Sequence, residues 1–315
     1  MQRFCFTLFF LLLSCNSASS LFSQPVNPSK PKVTIKQISQ ICMNSPFDCL
    51  AEADPFLATI PENSRMYFQV LQYKMEALFN LQRDDELYLE TKKWIDHLSV
   101  PLTFQLTNAI FLAKAAWDIG KKEEAKETYY LAKSLLSQIN NEYSTPLRLV
   151  QFANLQIQLK ELDSAYQLLQ SLAEKYPNSP DVHFMVELHG NLGHTANQLG
   201  LVNEALVHWN NTKKWVLLFN NQQQIGIVLF NLADVHEQLS QYQQARTHFA
   251  EGIEYSKKAG DKVKMNEGMY RLLNVRLMSE KVCLSDPAFS SFDLNYLPKK
   301  FNYSLQVLKR KAKCK

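Results

Sequence analysis

Alanine recurs at Ala125, Ala165, Ala205 and Ala245, a step of 40 residues each time, and this period constrains the fold more than any other feature of the chain. The same offset aligns Ala113, Ala153, Gly193 and Ala233, then Leu112, Phe152, Leu192 and Leu232. It also aligns Ile119, Leu159, Leu199 and Leu239, and Tyr129, Leu169, Trp209 and Phe249. Within each unit, apolar residues at helical spacing run up to a break at Gly120, Lys160, Gly200 or Ser240, and a second helical pattern follows. Each unit therefore reads as a helical hairpin. The small residues mark where two helix axes must approach closely, and the large column one turn after the second alanine fills the space against the next hairpin.

Composition agrees with a helical chain and removes several functions. Only 8 glycines occur in 315 residues, and they form no G-x-G-x-x-G, G-K-[ST] or G-x-S-x-G pattern, so dinucleotide sites, P-loops and nucleophile elbows have no support. The net charge of +4 predicts neither a nucleic-acid-coating surface nor an acidic substrate. His236-Glu237 begins like H-E-x-x-H but lacks the second histidine, and His189 and His194 are five apart, which spreads them by about 140° around a helix. These two histidines are read as surface or groove polarity. Asp234 and Glu237 share a helical face, yet nothing supplies a nucleophile or a closed pocket beside them. No enzymatic role, metal site or cofactor is expected.

With Asn191-Leu192-Gly193, Gly200, Ala205 and Trp209 in one unit, Asn231-Leu232-Ala233, Ala245 and Phe249 in the next, and Pro177 closing the second unit, the chain resembles the tetratricopeptide repeat family over residues 65 to 281. The resemblance implies an all-α, right-handed superhelical solenoid of about five antiparallel helical hairpins that binds a protein or peptide partner on its concave face. The family's usual unit is ~34 residues, so each unit here has about six more, enough for more than one extra helical turn. A degenerate first unit spans 66 to 98, with Leu81 at the break and Leu87 in the alanine column at a 38-residue offset. Asp261 to Lys281, where Leu273 replaces the small residue, reads as a terminal helix over the open end.

If these columns form the packing face, the adjacent stripe lines a groove: Ile110, Phe111, Lys114 and Trp117, then Val150, Gln151, Asn154 and Ile157. Gly190, Asn191, His194 and Asn197 follow, and then Phe230, Asn231, Asp234 and Glu237. The resemblance implies that Asn191 and Asn231, and with them Asn154, hold the backbone of an extended ligand, because an amide side chain both donates and accepts. Lys114, Trp117, His194 and Asp234 are the further candidates for partner contact. A chaperone-tail clamp would need several basic groove residues, and only Lys114 offers itself.

The ends carry address signals. Arg3, the apolar run Phe4 to Leu13 and the small residues to Ser20 have the order of an export leader, too short to span a bilayer. Cleavage near Ala18-Ser19-Ser20 would release the chain to the periplasm or medium. Leu12-Leu13-Ser14-Cys15 resembles a bacterial lipobox, which would acylate Cys15 and anchor the chain at a membrane. Residues 21–34 read as a linker, 35–64 as a short helical pair, and 282–315 as an irregular segment with a basic helix whose Lys299, Lys300, Lys309, Arg310, Lys311, Lys313 and Lys315 could meet anionic lipid. Cys42 with Cys49 and Cys283 with Cys314 are disulfide candidates in an exported chain; buried, reduced cysteines are the alternative.

Overall fold

The structure is a computed structural model that describes residues 33–97, 99–139, 145–280, 291, 293 and 295–297. The leader, Cys15, most of the linker, Cys283, Cys314 and the basic tail lie outside the described residues.

Thirteen helices and no strand occupy the described chain. A short pair, α1 (Ile35–Asn44) and α2 (Pro46–Leu57), precedes the stack. Five antiparallel hairpins follow: α3 (Arg65–Asn80) with α4 (Asp84–Lys92), α5 (Leu102–Asp118) with α6 (Lys122–Gln138), α7 (Pro146–Gln158) with α8 (Leu162–Lys175), α9 (Val182–Gln198) with α10 (Val202–Phe219), and α11 (Gln222–Gln238) with α12 (Tyr242–Lys258). The last helix, α13 (Lys262–Ser279), packs on α11 and α12, with Leu273 buried at the position where earlier units carry a small residue. Beyond it, the backbone N–H of Asp293 donates to Asn266 Oδ1 at 2.9 Å and Leu297 is buried.

Local chemistry explains where these helices begin and end. Thr34 and Gln37 form a capping box at α1, and Ser45, Ser64, Asp181, Asn221 and Asp261 each accept a backbone N–H in the first turn of their helices. Every hairpin turn is the same left-handed helix terminator. Gln82, Gly120, Lys160, Gly200 and Ser240 have φ between 56° and 86°. The residue after each donates five positions back, as in Lys121 to Ala116, Leu201 to Ala196 and Gln241 to His236 at 2.8–2.9 Å. Glycine serves this position best, and three of the five turns tolerate another residue because the flanking helices fix the geometry.

The alanine columns are the tight crossings. Ala125, Ala165, Ala205 and Ala245 are 0% exposed, as are Ala113, Ala153 and Ala233. Gly193 breaks the second column for a steric reason: a Cβ there would lie 2.9 Å from the Trp209 indole, the largest member of the aromatic column. Where the large column grows, the small column shrinks. Gly193→Ala is therefore expected to destabilise the fold by about 1–2 kcal/mol, since overpacking outweighs the ~1 kcal/mol gain in helix propensity. Trp209→Phe should relieve most of that loss in the double variant, and urea unfolding of the four proteins gives the coupling directly. Additive losses would mean that the two residues do not meet.

The expected extra helical turn per unit holds for only part of the stack. α5, α6, α9, α11 and α12 have 17 residues and α10 has 18, but α7 and α8 have 13 and 14. The α7–α8 unit keeps the 40-residue period with longer connections on either side; Pro146 opens α7, and Pro180 stands in the connection to α9.

The stack also curls onto its own beginning. Asn221, the N-cap of α11, donates from Nδ2 to the carbonyl of Asn44 at 3.3 Å, a contact across 177 residues. That carbonyl belongs to the last residue of α1, where the helix leaves its own acceptors without partners. The short pair thus closes against the α10–α11 turn.

Candidate functional site

Closure creates a cavity of about 330 Å³ inside the curve. Met43 and Pro46 of the short pair, Tyr73 and Glu76 of α3, Leu147 of α7, His183 and Glu187 of α9, Phe219 of α10, and Gln224 and Ile227 of α11 line it. Cys42 also lines it and is disulfide-bonded to Cys49, which ties α1 to α2 at the corner nearest the opening. The Cys49 side also rests on α3, with its Sγ 3.6 Å from the Tyr73 carbonyl oxygen.

Charged groups gather on the inner wall. His183 Nε2 lies 3.9 Å from Glu76 Oε1, and the His183 ring stacks on Phe219 with centroids 5.6 Å apart. Burial raises the Glu76 pKa; His183 opposes the rise and Glu187 adds to it. Glu187 makes no side-chain hydrogen bond or ion pair among the described residues. Lys114, on α5, is 2% exposed. Its Nζ sits 4.3 Å from the Phe79 ring centroid and 5.5 Å from that of Phe111, with no carboxylate bonded to it. Burial pushes its pKa down to about 8 against the pull of Glu187, Glu76 and Asp118.

The candidate residues of the sequence fare differently. Asn154, Asn191 and Asn231 were expected to hold a ligand backbone. Instead Asn154 Nδ2 donates to Asn191 Oδ1 at 2.7 Å, while Asn191 Nδ2 donates to the Glu187 carbonyl at 2.8 Å. Asn191 is buried, and its amide is used by the scaffold rather than a ligand: the oxygen joins α7 to α9 and the nitrogen bonds back within α9. Asn231 is half-buried and makes no hydrogen bond among the described residues. Asp234 is paired with Arg271 of α13 at 2.6 Å, and Glu237 accepts from Asn274 at 3.3 Å, so these carboxylates join α11 to α13. Burial nonetheless lifts the Asp234 pKa to about 6 despite Arg271.

Trp117 is covered by its own turn, with Lys122 Nζ 3.7 Å above the ring. His194 is exposed and bonded to Gln198. Ile110, Phe111, Val150 and Phe230 belong to the core and not to a groove, because adjacent first helices pack closely enough to bury them. His189 is likewise not a groove residue: its ring stacks on His208 at 5.7 Å between α9 and α10, and burial, with His208 and Lys214, pushes its pKa down to about 4.

Glu76, Glu187, His183 and Gln224 were not singled out in the sequence. One signal was available for the first: at the 38-residue offset of the first unit, Glu76 occupies the column of Lys114, Asn154, His194 and Asp234. Among the described residues no cluster of three or more His, Cys, Asp or Glu is arranged to hold a metal ion, and no helix is long and apolar enough to cross a membrane.

Residues 149–179, the α7–α8 hairpin and its exit, match the family model described as Tetratricopeptide repeat. The stack has the fold of a tetratricopeptide-repeat-like helical solenoid. The matched repeat has helices of 13 and 14 residues, shorter than the 17- and 18-residue helices of the hairpins on either side of it. No curated protein matches the sequence. Among solved structures, a Rap protein complexed with Competence and Sporulation Factor is similar at 12% identity, over 88% of this chain and 89% of that chain, with a TM-score of 0.58. Bacillus thuringiensis PlcR, in complex with the peptide PapR7 and DNA, is similar at 14% identity, over 76% and 97%, with a TM-score of 0.54. A signal transduction ATPase with a tetratricopeptide repeat sensor, from Pyrococcus horikoshii, is similar at 14% identity, over 89% and 50%, with a TM-score of 0.54. At these identities the likeness is one of fold.

Proposed function

We propose that this tetratricopeptide-repeat protein is an exported interaction module, an adaptor rather than an enzyme, that receives a peptide segment of its partner in the cavity inside the curve. The observation that carries this reading is the cavity itself. It is concave and its walls mix apolar and aromatic side chains with polar groups, a form that binding sites take. Two of the similar solved structures were determined with a peptide or signalling factor bound, which supports the choice of a peptide as ligand. Asn231 remains a candidate for bonding the peptide backbone, whereas Asn191 is assigned to the scaffold.

Export is part of the same proposal. The leader argues for it, and the Cys42–Cys49 disulfide is the kind of bond that persists in an oxidising compartment. Mass spectrometry of the mature chain checks this: a terminus near Leu21 means release, and an acylated Cys15 means attachment to a bilayer.

The cavity is tested by plugging it. Ile227 lines it and is 38% exposed, so Ile227→Trp should fill the space while leaving the helical circular dichroism signal and melting temperature unchanged. Affinity recovery of the native partner from the host is expected to fall to background for this variant and to persist for Val207→Trp, whose position is 58% exposed and outside the cavity. Undiminished recovery with Ile227→Trp would overturn the reading.

A further inference from the structure

Two carboxylates and an amide oxygen that receives no hydrogen bond belong to the cavity lining, and they define what would complete it. Glu76 and Glu187 bring two carboxylates from α3 and α9, and Lys114 brings one ammonium close enough to both to feel their charge. Glu187 forms no ion pair among the described residues. In the same lining, Gln224 contributes a side-chain oxygen that is buried and receives no hydrogen bond among the described residues. A buried acceptor without a donor is costly, on the order of 1–3 kcal/mol, so such groups in a cavity wall mark what a ligand supplies. Lys114 adds a second unmet group: it is 2% exposed, and among the described residues its ammonium lies over two aromatic rings and donates no hydrogen bond. Beside the carboxylates, the stacked pair of His183 and Phe219 offers a flat aromatic wall.

The geometry points to a subsite for an arginine side chain of the bound peptide, held by Glu76, Glu187 and Gln224 with the His183–Phe219 wall beside it. Guanidinium is the side-chain group that matches these features together. It is planar and stacks on aromatic faces, its five N–H donors can satisfy two carboxylates and an amide oxygen, and it carries the single positive charge that Lys114 leaves wanting. Lysine would neutralise the charge but offers three donors around a point and no plane to stack. A volume of about 330 Å³ accommodates one such side chain with adjoining backbone. This inference rests on the cavity being the peptide site.

The test uses the full mature chain and capped pentapeptide pools in which the central residue is arginine, lysine or citrulline, and the flanking positions are randomised without charge. Calorimetric titration should show the arginine pool binding at least about tenfold more tightly than the citrulline pool, the ratio expected for one charge-assisted hydrogen bond. The lysine pool should fall between them. Glu187→Gln removes a carboxylate that makes no side-chain hydrogen bond or ion pair among the described residues, so the helical circular dichroism signal should be kept while the arginine preference drops at least about tenfold. Equal binding of the arginine and citrulline pools, or an unaltered preference in Glu187→Gln, overturns the arginine subsite. If that happens while Ile227→Trp still abolishes partner recovery, the peptide cavity stands and only its specificity is wrong. If Ile227→Trp has no effect, the cavity reading itself has failed.

Discussion

Phe230→Ala is expected to lower the stability of the whole repeat domain by about 3–5 kcal/mol, the largest effect of any single truncation considered for this chain. The ring is 8% exposed and packs 6.2 Å from Phe249. Its seat is made by two glycines: a Cβ on Gly252 of α12 would come within 2.6 Å of it, and one on Gly268 of α13 within 2.5 Å. Neither neighbour has a side chain that could collapse into the vacated space, so the cavity term should approach its full value. The same geometry predicts a reversal of sign. Gly268→Ala should destabilise the parent protein, where the methyl group meets the ring, and stabilise the Phe230→Ala protein, where the methyl group fills the hole and helix propensity improves by ~1 kcal/mol. Urea unfolding midpoints of the four proteins decide it. A loss below about 1 kcal/mol for Phe230→Ala, or the same sign for Gly268→Ala in both backgrounds, would mean that α13 does not dock on α11 and α12 in this way.

The second large effect belongs to Lys114 and is read against pH. Its pKa is pushed from 10.5 to about 8 in the folded chain, because the ammonium is buried and finds no hydrogen-bond acceptor. Below pH 8 the group is protonated in both folded and unfolded chains, and the folded state bears the whole cost of burying the charge. As pH rises through 8 the folded chain releases this proton while the unfolded chain keeps it, so stability climbs. Tyr166 works in the other direction above its ordinary value, since burial and then its bond to Glu204 push its pKa to about 12. The useful window is therefore pH 8 to 10. Across it the Lys114 contribution amounts to roughly 2–3 kcal/mol, at 1.36 kcal/mol per unit. Chemical denaturation at half-unit steps should show that rise in the parent protein and lose it in Lys114→Met; equal slopes would contradict the assignment. A cation kept in mid-helix at such a cost to the fold makes sense where a ligand supplies its acceptor.

Much of the architecture was legible in the sequence because it is periodic. Ala125 to Ala245 and Ala113 to Ala233 announced the tight crossings, and the turn at Gly120 repeats physically at Lys160 and Ser240, although neither residue favours a left-handed backbone. Gly193 opposite Trp209 shows two columns compensating within one chain. The site was less legible, for two physical reasons. First, an amide in the right column does not reveal whether its hydrogen bonds go to a ligand or to the next helix; Asn191 bonds Asn154 and the Glu187 carbonyl, and only coordinates could say so. Second, the cavity arises from curvature summed over four hairpins, which brings Asn44 to Asn221 and places Glu76 near His183 across more than a hundred residues. No local pattern encodes that meeting, just as none distinguishes added residues placed in helices, as in α9, from those placed in connections around α7 and α8.

The most direct measurement is the distance between spin labels introduced as noncanonical residues at Met43 and Gln223, which stand on the two sides of the closure and both line the cavity. Pulsed electron resonance on the mature chain should give a single, short and narrow distance distribution, because the end of α1 meets the N-cap of α11 directly. A long or broad distribution would show an open helical ramp with no enclosed space inside its curve, and the peptide cavity would have no structural basis.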